Sequence, residues 1–204
     1  MKTFDINKYN DWEKDLEITS SDNHLFYKKG ENIAEINFYK NYIQEILYDL
    51  KSPYKTYNGY DIKTNKYKGG GKTFYQFLNI GKWLYYDESG KLIKEVDYDK
   101  PYNLSIEDVD SIIKKNTDLD IMKPIQIYEF SRTINKPYLY LIAGHKDGWR
   151  SHGKLEGFVI DDKTGKIIFK TDVYTEGKGN SLMQQYSSFL NNSSNNNNIY
   201  KEKK

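Results

Sequence analysis

Cysteine is absent from the chain. That excludes disulfides, thiol nucleophiles and Cys-ligated zinc or iron–sulfur sites. A surplus of one charge is missing too: 31 Lys and Arg face 29 Asp and Glu, for a net charge of +2. The near-balance removes the electrostatic footprint of a dedicated nucleic-acid binder. No polybasic block is present to hold the chain on an anionic membrane. Long apolar runs are also lacking. No window approaches the length of a membrane-spanning helix, and the opening MKTFDINKYNDWEKDLEI has no apolar stretch of the signal-peptide kind. The sequence as written is therefore expected to be cytoplasmic, or periplasmic if a signal peptide has been removed, with no membrane insertion and no nucleic-acid partner.

What the chain does have is tyrosine. Hydrophobic residues make up only 37% of its 204 residues, but 20 Tyr and 9 Phe compensate. Tyrosine buries a ring while keeping a hydroxyl for water or a partner, which predicts an aromatic, thin-walled core. The length suits one domain or two small lobes.

Residues 1–24 are polar and weakly periodic, and are read as an irregular segment. From 25 to 100 the pattern is one of β-hairpins. Ala34, Ile36 and Phe38 alternate with polar neighbours. A helix through Ile36, Tyr39, Ile43 and Leu47 also fits the spacing, but β-branched and aromatic residues dominate and no cap precedes them. Turns fall at KGEN, KTNK and Asp87-Glu88-Ser89-Gly90, and the run Gly69-Gly70-Gly71 is expected to break the chain as a hairpin loop. Residues 101–190 read as a helix followed by a four-stranded sheet and a short second helix. Ser105 and Asp108 have capping-box spacing, Ile106, Val109, Ile112 and Ile113 form one stripe, and Lys114 and Lys115 close the helix. The strands are PIQIYEFSRTI, PYLYLIAG, KLEGFVID and KIIFKTDVY. Asn180-Ser181 then precedes an amphipathic segment with Leu182, Met183, Tyr186, Phe189 and Leu190 on one face. The Asn-rich stretch 191–204 is expected to be disordered. The fold class is α+β.

Signs of chemistry are sparse. Gly71-Lys72-Thr73 suggests a phosphate loop, but the glycine such a loop needs five positions earlier is Lys66, and no helix follows. Asp118 and Asp120, and Asp161 and Asp162, are paired carboxylates beside turns, where Asp bonds nearby amides. No nucleophile–base constellation accompanies them, so catalysis is not expected. His145, Asp147 and His152 share the loop AGHKDGWRSHG and have metal-ligating side chains, yet nothing in their spacing fixes a geometry. A polar loop is the expected reading, with no metal and no cofactor. The same loop sets Trp149 and Arg150 between glycines. Either Trp149 tucks back onto the sheet, or Trp149, Arg150, Lys146 and His152 meet a protein partner, as Trp and Arg do at interface hot spots.

Two stretches carry resemblances. GKWLYYDESGKLIKEVDY resembles one unit of the MORN-like repeats of a bacterial antitoxin family, through Gly81, Trp83, Tyr86, Asp87, Gly90 and Leu92. The resemblance implies that Trp83 packs across its hairpin with Tyr86 and the Leu92 side. The C-terminal half, with Gly157, Val159, Asp161, Thr164, Gly165 and Lys166 in its last hairpin, is similar to PepSY-like domains. Those are non-catalytic modules, usually exported, that often bind or inhibit a partner. The whole arrangement is similar to uncharacterised proteins of flavobacteria-type genomes. The function expected from these resemblances is that of an immunity or antitoxin-type protein neutralising a protein toxin. The alternative is an exported PepSY-like binding or scaffold module of the cell envelope.

Overall fold

The computed structural model describes residues 2–15, 21–75, 78–175 and 181–199. The chain divides into two compact units, Met1–Pro101 and Tyr102–Lys204.

The first unit is an eight-stranded antiparallel meander in which each strand pairs with its neighbours in sequence. Its strands are β1 (Glu13–Lys14), β2 (His24–Lys29), β3 (Asn32–Phe38), β4 (Tyr42–Asp49), β5 (Tyr54–Asp61), β6 (Tyr67–Phe74), β7 (Leu78–Tyr86) and β8 (Leu92–Asp97). The strand reading of Ala34–Phe38 holds, and the helical alternative does not form. The opening segment, read as irregular, is organised: Asp5 caps a 3-10 helix at Ile6–Tyr9, and the Phe4 amide donates to the Asn65 carbonyl. Phe4 and Tyr9 are buried against Ala34, Ile36, Ile43 and Tyr60. Two such side chains stabilise the unit by roughly 1.5–3 kcal/mol each, which is why a polar segment folds down.

The glycine run is the main departure from expectation. Gly69, Gly70 and Gly71 lie inside β6, all three paired with β5, and Gly69 and Gly70 also with β7, where Gly71 falls at a bulge. A Cβ on Gly70 would strike the Tyr57 carbonyl, and one on Gly71 would enter the Trp83 indole. Gly69 also has φ +148. The run permits close approach of backbone and ring, as glycine does within strands. The chain turns instead after Phe74, where Tyr75 takes φ 55. Gln76 and Phe77 lie outside the described residues.

The second unit sets a four-stranded antiparallel sheet, ordered β12-β11-β10-β9, between two helices. Its elements are α1 (Ile106–Asn116), β9 (Ile127–Arg132), β10 (Leu139–Gly144), β11 (Lys154–Asp161), β12 (Ile167–Tyr174) and α2 (Leu182–Ile199). The capping box forms in full, with Ser105 and Asp108 each accepting from the other's backbone N–H. One sheet face packs Leu139, Leu141, Ala143 and Val159 under Leu182 and Tyr186 of α2. The other face carries Tyr140, Ile142, Phe158 and Ile160, all buried, beneath α1. Of the stripe on α1, Ile106, Val109 and Ile113 are buried, whereas Ile112 is only half-buried beside the Gly165 turn. On α2, Leu182 and Tyr186 are buried and Met183 and Leu190 are exposed. Ser181 begins this helix by exchanging bonds with Gln184, while Asn180 lies outside the described residues. The helix runs on to Ile199, through asparagines read as unstructured. Residues 200–204 are outside the described residues.

One turn is built twice. In Asp161-Asp162-Lys163-Thr164-Gly165-Lys166, the Asp161 carboxylate accepts from the Lys163 amide (3.0 Å) and the Thr164 hydroxyl (2.9 Å). In Asp61-Ile62-Lys63-Thr64-Asn65-Lys66, Asp61 accepts from Lys63 (3.1 Å) and the Thr64 hydroxyl (2.8 Å). Gly165 and Asn65 take the left-handed position in the two loops, at φ 66 and φ 56. Asp-x-x-Thr followed by Gly or Asn and then Lys is thus a turn chemistry that both sheets use.

Candidate functional site

Residues opposite one another in an antiparallel ladder share a face. In the meander, one face is closed by Phe4, Tyr9 and their neighbours. On the other, Tyr57 stands opposite Ile46 and Gly71, Tyr85 opposite Gly69, and Trp83 opposite Val96. Tyr57, Trp83, Tyr85 and Tyr98 are half-buried there, and Tyr42 is 43% exposed. Trp83 lies 6.2 Å from Tyr57 and 6.1 Å from Tyr98, with its indole N–H donating to the Lys72 carbonyl at 3.0 Å. This corrects the expectation that Trp83 packs with Tyr86. The two differ by an odd number of residues and point to opposite faces, and the Tyr86 ring meets Tyr67 instead.

Because glycines contribute no side chains, the sheet is hollow beside them. A groove of about 220 Å³ opens there, lined by Tyr42, Gln44, Tyr57, Gly69, Trp83 and Tyr85 among others. Mixed charge surrounds it. The Lys55 ammonium sits 4.1 Å above the Tyr48 ring, and Lys94 lies 5.5 Å above Tyr85. Burial pushes the Tyr57 phenol above its ordinary pKa, and the Glu35 carboxylate adds to the effect. Burial lowers Lys55, with Glu35 opposing. The groove thus offers phenols and an indole, with Lys68 in its lining and Lys55, Lys94 and Glu35 nearby.

The loop between β10 and β11 does not project freely. Its backbone is tied to the segment before β9: His145 N–H donates to Gln126 O at 2.8 Å, Trp149 N–H to Ile125 O at 3.0 Å, and the Gln126 side chain to Lys146 O at 2.6 Å. Trp149 packs against the core under α2 and lies 5.3 Å from Tyr128. Arg150 covers the indole with its guanidinium at 5.3 Å. Of the two readings of Trp149, the structure realises the folded-back one. Lys146 and Arg150 remain exposed, and His152 is half-buried. Trp149→Ala is expected to cost the second unit ~2 kcal/mol, below the 3–5 of a fully buried indole. Urea unfolding followed by circular dichroism measures it, and an unchanged midpoint would remove Trp149 from the core.

Nor does the loop lack fixed geometry, as its glycines suggest. His145, Asp147 and His152 each place a ligand atom within 4.8 Å of the other two. The imidazoles are stacked at 3.5 Å.

The paired carboxylates serve the backbone. Asp162 is buried and accepts from the Asn103 and Leu104 amides, each at 3.0 Å, which anchors the chain leading into α1. Asp120 accepts from the Met122 amide at 2.9 Å and faces Lys114 at 3.1 Å. Sequence reasoning missed Glu45, which is fully buried in β4. It accepts from Tyr9 (2.9 Å), Asn58 (3.0 Å) and Tyr60 (3.1 Å), and its charge is paired with Lys8. A signal was present: Ile43, Glu45 and Leu47 share one phase of the alternation, so the carboxylate falls in an apolar series.

Among the described residues no helix is long and apolar enough to cross a membrane. Comparison of the chain with protein-family models, characterised proteins and solved structures finds no match.

Proposed function

We propose that this is a non-catalytic immunity or antitoxin-type protein that binds a protein toxin through the Tyr57–Trp83–Tyr85 face of the meander. The observation carrying this reading is the aromatic groove over the glycine strand. Tyr and Trp present large contact area at little entropic cost and are enriched at the centres of protein interfaces. Lys55, Lys94 and Glu35 offer both charge signs, which suits a mixed polypeptide surface better than a polyanion. A non-catalytic role is supported by the use already made of the carboxylates, which cap turns, anchor α1 or close the Glu45 network. Neutralisation of a toxin rests on the MORN-like resemblance of residues 81–98. The groove shifts the proposed contact away from the loop of Trp149 and Arg150, because Trp149 is engaged with its own core.

The test is tagged purification from the source organism, comparing the native chain with a Tyr42→Ser/Tyr85→Ser variant. We expect one protein to co-purify with the native chain in near-equal amount and to be lost with the variant. Expressed alone, that protein should arrest growth, and co-expression of this chain should relieve the arrest. A non-toxic envelope component in its place would favour the exported scaffold reading.

A further inference from the structure

We propose that His145, Asp147 and His152 form a binding site for a divalent transition-metal ion of the zinc, cobalt or nickel class. The site lies at the end of the second unit's sheet, between β10 and β11, and is independent of the aromatic face.

The loop is held at both ends. The anchors to Gln126 and Ile125 fix its first half. Its second half is fixed by the His152 amide donating to Trp149 O at 3.2 Å and the Thr175 amide donating to Gly153 O at 3.1 Å. Between those anchors the chain doubles back, so residues seven apart in sequence place their imidazoles face to face, 3.5 Å between centroids and 23° from parallel. Asp147 joins them from the intervening turn. Its amide donates to His145 Nδ1 at 3.2 Å, and its carboxylate lies 3.9 Å from the same nitrogen.

The neighbouring cations are drawn elsewhere. Lys146 extends to Asp118, with nitrogen and oxygen 3.8 Å apart, and Arg150 lies over the Trp149 ring. Neither is committed to the Asp147 carboxylate, which is therefore available as an anionic ligand.

Two imidazole nitrogens and a carboxylate oxygen form a borderline donor set. It suits zinc, cobalt or nickel, whereas calcium and magnesium prefer all-oxygen sites. Three protein ligands leave one tetrahedral position for water or for a donor from outside. At metal–ligand distances of about 2.0–2.2 Å, two ligand atoms on one ion are about 3.4 Å apart. The present spread of up to 4.8 Å therefore has to contract on binding. Asp147 can supply most of that movement, because its side chain is 66% exposed. The stacked rings would fan apart as their nitrogens turn toward the ion.

The experiment is a titration of the intact, metal-stripped chain with zinc and cobalt salts. Calorimetry should give one ion per chain at micromolar dissociation constant, and cobalt should produce a visible d–d band. With only three histidines in the sequence, imidazole NMR assigns the site directly. His145 and His152 should shift on zinc binding, and His24 should not. Asp147→Asn, an exposed change that leaves the loop anchors intact, should weaken zinc at least tenfold. His152→Ala should abolish saturable binding. Absence of saturation up to millimolar zinc, a response centred on His24, or native affinity in both variants would overturn the proposal.

Discussion

Glu45→Ala should lower the unfolding free energy of the first unit by about 3–5 kcal/mol, the cost of leaving three donors without their shared buried acceptor. The carboxylate is fully buried, and its removal strands the Tyr9 and Tyr60 hydroxyls and the Asn58 amide together, while the exposed Lys8 ammonium returns to water. Each donor left unsatisfied in a low-dielectric site adds to the loss. Against a typical stability of about 5–15 kcal/mol, this is a large fraction of the total. Glu45→Gln keeps the shape and one acceptor oxygen and should lose less. Burial, reinforced by Glu45, holds both phenols above the ordinary tyrosine value of 10.0. A raised acid contributes stability that is complete below its unfolded value and lost as pH rises past it. Native stability should therefore fall above pH 10.0, with a weaker alkaline loss in Glu45→Ala. Urea titrations at neutral and alkaline pH check both points. A neutral-pH change under ~1 kcal/mol would mean that the network is not what fastens the opening segment to the sheet.

Ile113→Lys should unfold the second unit, or cost it at least ~4 kcal/mol, whereas Ile112→Lys should cost about 1 kcal/mol. Sequence periodicity places both on one stripe of α1. Ile113 is 0% exposed, so a lysine there loses the packing and buries a charge without a partner. Ile112 lies near the surface beside Gly165, where a lysine can lay its stem along the turn and hold its ammonium in water. Thermal melts of the two variants separate the cases. Equal losses would mean that the helix is rotated from the orientation described.

The elements legible in the sequence are those fixed by neighbours in the chain. Ser105 and Asp108 announce α1 because a capping box closes within four residues. Asp61, Asp87 and Asp161 announce hairpins because their carboxylates collect amides from the next few positions. What could not be read depends on partners far along the chain. Gly69–Gly71 reads as a break until Trp83 and the Tyr57 carbonyl, brought up by the flanking strands, occupy the space a Cβ would take. The alternation puts Glu45 in phase with Ile43 and Leu47, but its partners Tyr9, Asn58 and Tyr60 come from elsewhere in the chain. The aromatic groove has the same origin, since its lining comes from β4 to β7 and no single segment shows it. For Trp149 the sequence left two readings open, and the folded-back one follows from hydrogen bonds to Ile125 and Gln126, earlier in the chain.

The central claim is that partner contact runs through the aromatic face of the meander. The most direct measurement is a calorimetric titration of the co-purifying protein against Tyr85→Ser and, separately, Arg150→Ala. The account predicts that Tyr85→Ser weakens binding about 30-fold, or ~2 kcal/mol, with the variant still folded at the titration temperature, while Arg150→Ala stays within threefold of native. Native affinity in Tyr85→Ser together with a large loss in Arg150→Ala would contradict it and return the interface to the β10–β11 loop.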